Sequence, residues 1–446
     1  MKIVLAVHHF PPRYTGGAEL RAFRTALWLQ EHGHDVHVIA VEDAYAGERK
    51  GVSSVEEPYE TLTVERLSFN LHLAPDAFRW AYDNPWVGDH VRSVLREREP
   101  DVFHLIGGYL LSGRALLAAA ARGVPTVVSL TDFWFLCPRL SLRRSDGGLC
   151  TPPLDPVTCA QCLGEESRRY RLLRSIAPGL MRRYWRARQD RADEVRRRTR
   201  FLLDALDRVD VMISPSQFLR DVYVRSGVDP ERIVFCRQGR DFPAQTESEL
   251  RKTSSKPLRL GYMGQIAPHK GVHTLLEAMQ LLSEEDVSAQ IYGDLERFPG
   301  YTQRLQRLAE SAGRVAFQGV FAPEELTDVL REIDVLVVPS LWYENSPNTI
   351  LEAFAHRTPV IAADLGGMAE LVEDGGNGLL FEAGDADDLA ARVRKLTDGS
   401  GLMDRLRKGI EPVKGVQEEM EELVAVYRRA TGASKRSVSR LKEQMG

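Results

Sequence analysis

The stretch DVLVVPSLWYENSPNTILEAFAH, residues 334–356, joins an apolar run to an amphipathic one through a polar loop. Asp334–Val338 predicts a strand and Pro347–His356 a helix, with Ser346 suited to the N-cap. Pro347 suits the first helical position, where a missing N–H costs nothing. Glu344 then sits in the loop before the helix, and Glu352 about one and a half turns inside it. The backbone N–H groups near Asn348 and Thr349 face the same crevice. Two carboxylates around a helix N-terminus suit a ligand with hydroxyls at both ends and a diphosphate between them. A pair of surface acids is the plainer reading of the same residues.

Working outward, the same strand–helix unit recurs on both sides. Leu258–Met263, Ala289–Tyr292, Val315–Phe317 and Pro359–Ala363 read as strands, alternating with helices at Val272–Leu282, Tyr301–Ala312 and Pro323–Glu332. Upstream, Lys2–Val7, His34–Val41, Thr63–Leu67, Asp101–Ile106, Pro125–Leu130 and Val209–Ser214 are strand candidates, with helices at Gly16–Gly33 and Arg114–Arg122. Continuous Val/Ile/Leu runs, without strict alternation, suit parallel strands covered on both faces. The expected fold class is therefore α/β, with two doubly wound Rossmann-like domains. The N-terminal domain is expected over 1–240, with an irregular insertion at 133–205. A polar linker follows at 241–257, then the C-terminal domain at 258–415 and a helical tail at 416–446. At 446 residues, two domains also match the usual domain size.

Ligands of such sheets sit at the carboxyl ends of strands, so the loops after Val7, Met263 and Val338 carry most interest. The first, HHFPPRYTGGAEL at 8–20, lacks the GxGxxG fingerprint, which removes the main support for a dinucleotide oxidoreductase. Gly16-Gly17 still exposes backbone N–H groups at a helix start, either for an anion or merely to let the helix begin. The second loop, Gly264-Gln265-Ile266-Ala267-Pro268-His269-Lys270-Gly271, sets a lysine beside a helix N-terminus, where it can face a diphosphate.

Together these segments resemble the retaining nucleotide-sugar glycosyltransferases of family 4, which have the GT-B fold. The resemblance rests on Gly16-Gly17-Ala18-Glu19, Lys270-Gly271, the Glu344–Glu352 pair, Asp364–Val372 and Ser214-Pro215-Ser216, and spans roughly residues 1–400. It implies two domains facing each other across a donor-binding cleft. It also implies that Glu352 holds ribose hydroxyls, Glu344 the donor sugar, and Lys270 with the Gly17 backbone the leaving diphosphate. Ser346, Pro347, Asn348 and Thr349 complete the implied donor site. In two places the chain departs from the family pattern. Gln265 stands where an Arg is usual, and Thr131-Asp132 where many members have His-Asp, which leaves Asp132 as the catalytic-side acid. No catalytic metal is expected, since GT-B enzymes rely on protein cations and helix dipoles.

The implied activity is transfer of a sugar from a nucleotide-diphosphate sugar to a hydroxyl of a glycan or lipid-linked acceptor. A nucleotide-sugar epimerase or hydrolase on the same fold is an alternative, as is a non-catalytic, zinc-containing interaction protein. The insertion bears four of the five cysteines, Cys137, Cys150, Cys159 and Cys162, spaced C-x12-C-x8-C-x2-C. Structural zinc, reduced thiols and an iron–sulfur or redox role all fit that spacing.

Net charge is −4, which by itself points to no polyanionic partner. Residues 168–200, however, hold thirteen arginines against Asp190, Asp193 and Glu194. Read as one or two helices broken near Pro178-Gly179, with Leu180, Met181, Tyr184 and Trp185 on adjacent faces, the run is either a solvated face or a surface for anionic membrane. No recognition motif accompanies it, so nucleic acid is not expected as a partner. No apolar stretch approaches the ~20 residues of a membrane span, and the N-terminus lacks a secretory signal. A cytoplasmic location is the expectation, with peripheral contact at the inner membrane face.

Overall fold

The computed structural model describes residues 1–242, 256–398 and 401–445, and divides into two units. One comprises Met1–Cys236 with Gln417–Gly446, the other Arg237–Val416. Most of the expected linker, 243–255, lies outside the described residues.

The first unit is built on an eight-stranded sheet. Its strands are β1 (Lys2–Val7), β2 (Asp35–Asp43), β3 (Ser53–Tyr59), β4 (Leu62–Ser68), β5 (Val102–Ile106), β6 (Thr126–Ser129), β7 (Val211–Ser214) and β8 (Ile233–Phe235). They lie in the order β3-β4-β2-β1-β5-β6-β7-β8. The apolar runs of β1, β5, β6 and β7 are buried on both faces because helices cover both sides, which is the price of parallel pairing through βαβ crossovers. Only β3 pairs antiparallel, with β4, at the edge. It was not among the expected strands: SSVEEPY is exposed almost throughout and shows no apolar period.

The second unit holds a six-stranded parallel sheet. Its strands are β9 (Leu258–Met263), β10 (Val287–Tyr292), β11 (Val315–Gly319), β12 (Val335–Val338), β13 (Val360–Ala363) and β14 (Gly378–Phe381). Their order is β11-β10-β9-β12-β13-β14. The strand order reverses beside β9 and β12, so the loops following these two strands open at the switch point where α/β sheets bind ligands.

Three expectations need correction. The tail is a helix as expected, Val416–Met445, but from Gln417 onward it groups with the first unit and not as a segment of its own. Its Tyr427 is fully buried and shares a 2.7 Å hydrogen bond with Nδ1 of His104 on β5. Glu419 lies between Arg21 and Arg24 of the helix Gly17–Glu31, 3.0 and 2.9 Å away. Residues 237–240, expected in the N-terminal domain, group with the second unit. The Arg240 N–H donates to Lys414 O at 2.8 Å, and the Val416 N–H to Asp241 Oδ1 at 2.8 Å. The arginine run forms three helices, Arg168–Ile176, Pro178–Ala187 and Gln189–Leu206. Met181 and Trp185 turn inward, Trp185 against Gly164 and Tyr170, and are buried. Among the described residues no helix is long and apolar enough to cross a membrane.

Candidate active site

In the second unit, β12 delivers the chain into the loop 339–347. Glu344 sits in this loop, and its Oε1 accepts three hydrogen bonds: from Lys270 Nζ at 2.5 Å, Trp342 Nε1 at 2.7 Å and Ser340 Oγ at 2.9 Å. Oε2 takes none of the three. Burial pushes the carboxyl pKa up, but the Lys270 charge and these hydrogen bonds outweigh it and hold Glu344 below the usual range. Lys270 also lies 5.1 Å from the centre of the Trp342 ring, and His269 packs edge-on against the same ring at 4.6 Å.

Two glycines permit this closeness. Gly271 has φ +70°, and a Cβ there would lie 1.8 Å from Pro339 O, so any side chain would push the Lys270 turn away from the β12 loop. A Cβ at Gly367 would lie 2.2 Å from Asn345 O, while the Gly367 N–H donates to Glu344 O at 2.7 Å. The segment after β13 thus holds the glutamate loop from behind.

The helix after this loop runs Asn348–Ala355, with Pro347 in the cap position at φ −67°, ψ 112°. This corrects the expected start: Ser346 makes no side-chain cap, and Pro347 precedes the helix. Ser346 Oγ and Asn348 Oδ1 are buried without a hydrogen-bond partner, beside the first-turn N–H groups that include Thr349. Glu352 lies one turn further on, paired through Oε1 with Arg240; Glu370 accepts from Arg237 at 2.9 Å. Neither arginine was singled out from the sequence, because both lie in the polar approach to the linker.

Gln265 follows β9. With its amide oxygen turned toward Arg297, that oxygen accepts from Nε and Nη1 at 3.0 Å each. The Tyr262 hydroxyl donates to Gln265 O at 2.7 Å and fixes the backbone there. Arg297, in the loop after β10, is a further cation the sequence reading missed.

In the first unit the loops after β1, β5 and β6 converge. Gly16 caps and Gly17 opens the helix Gly17–Glu31. Glu19, in its first turn, lies 3.2 Å from His8 Nε2. Burial raises the Glu19 pKa, but the adjacent His8 prevails and holds it below the usual range. A Cβ at Gly107 would fall 2.9 Å from Thr131 Oγ1 and 3.7 Å from His8 Nδ1, which locates the β6 loop beside His8. Asp132 Oδ1 accepts the Trp134 N–H at 2.7 Å, and its backbone O accepts the Tyr223 hydroxyl at 2.9 Å. Burial lifts the Asp132 pKa above the ordinary carboxylate value, against that Trp134 bond. The His8–Glu19 pair is the feature of this cluster that spacing alone did not reveal.

The geometry can hold a diphosphate at a lysine and a helix N-terminus, with carboxylate oxygens for hydroxyls on either side. Comparison with known proteins shows the family and the fold. Residues 15–242 match the family model Glycosyltransferase Family 4, and residues 257–398 match Glycosyl transferases group 1. A D-inositol 3-phosphate glycosyltransferase of Corynebacterium efficiens is 28% identical over 250 residues, covering 51% of this chain and 58% of that protein. The chain spans about half the length of the curated relatives it first matches. A GDP-mannose-dependent alpha-mannosyltransferase of Corynebacterium glutamicum is 25% identical over 423 residues, covering 93% of this chain and 85% of that protein. Among solved structures, Anabaena HepE in complex with UDP and glucose superposes with TM-score 0.59 at 18% identity, covering 95% and 98% of the two chains. That likeness establishes a shared two-domain α/β fold of the GT-B kind.

Proposed function

The chain belongs to glycosyltransferase family 4, and from that premise we propose that it transfers a sugar from a nucleoside diphosphate sugar to a hydroxyl of a glycan or lipid-linked acceptor, with retention at the anomeric carbon. The observation that carries this reading is the Glu344 carboxylate, whose Oε1 takes Lys270, Trp342 and Ser340 and leaves Oε2 for a sugar hydroxyl.

The roles follow from the chemistry at each atom. As the anomeric C–O bond breaks, the diphosphate gains negative charge. Lys270 and the N–H groups at Asn348 and Thr349 answer that charge without reorganising. Ser346 Oγ and Asn348 Oδ1, buried without partners, gain theirs from the bound donor. Gln265 carries no charge, and Arg297, bonded to its amide, is the cation we place near the diphosphate. The proton of the acceptor hydroxyl passes to an oxygen of the departing phosphate on the same face, so the new bond forms on the side the old one left.

Glu352 is assigned to the ribose through Oε2, with Arg240 holding Oε1. The ribose keeps its charge throughout the reaction, so Glu352→Ala is expected to raise KM for the donor and leave turnover nearly unchanged. Measuring both constants checks this; a fall in turnover at unchanged KM would move Glu352 into the chemistry.

The reading itself is tested by a panel of nucleotide sugars with product detection by mass spectrometry. A glycosylated acceptor supports it. Donor consumed without acceptor points to a hydrolase or epimerase, and absence of any thermal shift with every donor points to a non-catalytic protein.

The acceptor's lipid linkage draws on the arginine helices. Leu172, Leu173, Ile176 and Leu180 are exposed, Ile176 at 80% and Leu180 at 68%, among the exposed Arg168, Arg169, Arg182, Arg183 and Arg186. Apolar side chains rimmed by arginines suit the headgroup boundary of an anionic bilayer. Vesicles containing phosphatidylglycerol should bind the protein, release it as salt rises, and lose it on Ile176→Glu with Leu180→Glu. Equal binding to neutral vesicles would overturn this docking.

A further inference from the structure

Four thiols of the insertion line one small cavity. Cys137 lies in the loop after β6, its N–H bonded to Phe133 O at 2.7 Å. Cys150 closes a small hairpin, bridged at Arg143 and Leu149, and its N–H donates to Leu142 O at 2.7 Å. Cys159 and Cys162 sit three apart on the helix Pro156–Gly164, hence on one face. Asp155 caps that helix by accepting the Val157 and Thr158 N–H groups. All four cysteines line a single cavity of about 20 Å³, room for one ion or one water. None of the four is in a disulfide.

Three arginines and one backbone N–H lie around these sulfurs, while burial and the neighbouring thiols hold the unliganded side chains of Cys150, Cys159 and Cys162 as thiols. The Ser145 N–H donates to Cys162 Sγ at 3.3 Å, a bond that favours the ionised sulfur. Arg139, Arg143 and Arg144 line the same cavity. A four-thiolate divalent centre carries two net negative charges, and these guanidinium groups oppose them in a site where burial alone would be unfavourable.

We propose that Cys137, Cys150, Cys159 and Cys162 bind one zinc ion, which ties the β6 loop, the hairpin and the helix Pro156–Gly164 into one piece. Zinc prefers four tetrahedral sulfur ligands and has no redox chemistry of its own. Binding converts four thiols to thiolates and releases their protons to solvent. Among the described residues only His37, Glu56 and Glu65 bring three ligand atoms within 4.8 Å of one another, and there Glu65 already takes hydrogen bonds from His37 and His90. The cysteine sulfurs are more open than a bound set, so the ion draws them together and its binding stabilises the fold. The role is structural: Cys137 follows Asp132 by five residues, so the ion anchors the loop from which Asp132 projects.

The test uses the full chain purified without added zinc. Native mass spectrometry and elemental analysis should find one zinc per chain, retained in Cys236→Ala and lost in the double variant Cys159→Ser/Cys162→Ser. Exchange for cobalt should give the absorption of a tetrahedral thiolate site, a readout independent of transferase activity. Should the double variant fail to fold, the wild-type stoichiometry and cobalt spectrum decide alone. Metal-free protein with an unchanged melting temperature overturns the site. So does an intact mass lower by two hydrogens per bridge, which would mark disulfides.

Discussion

Lys270→Ala is expected to lower turnover by about 10²–10³, the usual cost of removing one preorganised charge stabiliser, with a smaller change in KM for the donor. The lysine is held in place: Nζ is 2.5 Å from Glu344 Oε1 and 5.1 Å from the Trp342 ring centre, and Gly271 lets its turn approach the β12 loop. Since the leaving diphosphate is more negative in the transition state than in the bound donor, the loss falls on the chemical step. Both partners are largely buried, at 23% and 14% exposure, and removing one of them can also cost stability, so the melting temperature of the variant is measured alongside turnover to separate the two effects. Wild-type turnover in this variant would mean that the diphosphate leaves somewhere else.

Strands buried on both faces were legible as continuous apolar runs, and β1, β9 and β12 fall where the sequence places them. The edge strand β3 was not, because six of its seven residues face solvent and its pairing depends on β4 alone. The tail was legible as a helix, yet not its place: Glu419 meets Arg21 from 398 residues away, and no local period carries that distance. Burial of Trp185 was hidden for a similar reason. In an arginine-rich amphipathic helix an aromatic fits bilayer or core equally, and only the neighbouring Gly164 and Tyr170 decide.

The candidate site divides in the same way. Glu344, Glu352 and Lys270 could be read from spacing after a strand and around a helix start. The partners that tune them could not. Arg240, Arg237 and Arg297 reach their acids or amide from loops with no pattern of their own. Ser346 and Pro347 gave a helix-start signal, but the helix begins at Asn348, which leaves the Ser346 hydroxyl without a backbone partner. The local helix-start rule is out by one residue there, because Pro347 takes the cap position.

Glu344→Gln is expected to reduce turnover by about 10², the scale of a misplaced reacting group, while KM for the donor stays level or falls. The amide matches the carboxylate in size, and its oxygen can still accept from Trp342 and Ser340 in place of Oε1. Its NH₂ then occupies the Oε2 position and donates where a sugar hydroxyl needs an acceptor, so the sugar is held less accurately over the leaving bond. Meanwhile Lys270 loses its counter-charge and is freer to grip the diphosphate of the bound donor, which favours the ground state. The two effects move kcat down and KM down together, a signature that mere unfolding does not produce. Because Lys270 and Glu344 act as one unit, the double variant Lys270→Ala/Glu344→Gln should lose less than the product of the single losses. Measuring both constants across this cycle checks the coupling; strictly additive losses, or full turnover in Glu344→Gln, would separate the glutamate from the reacting sugar.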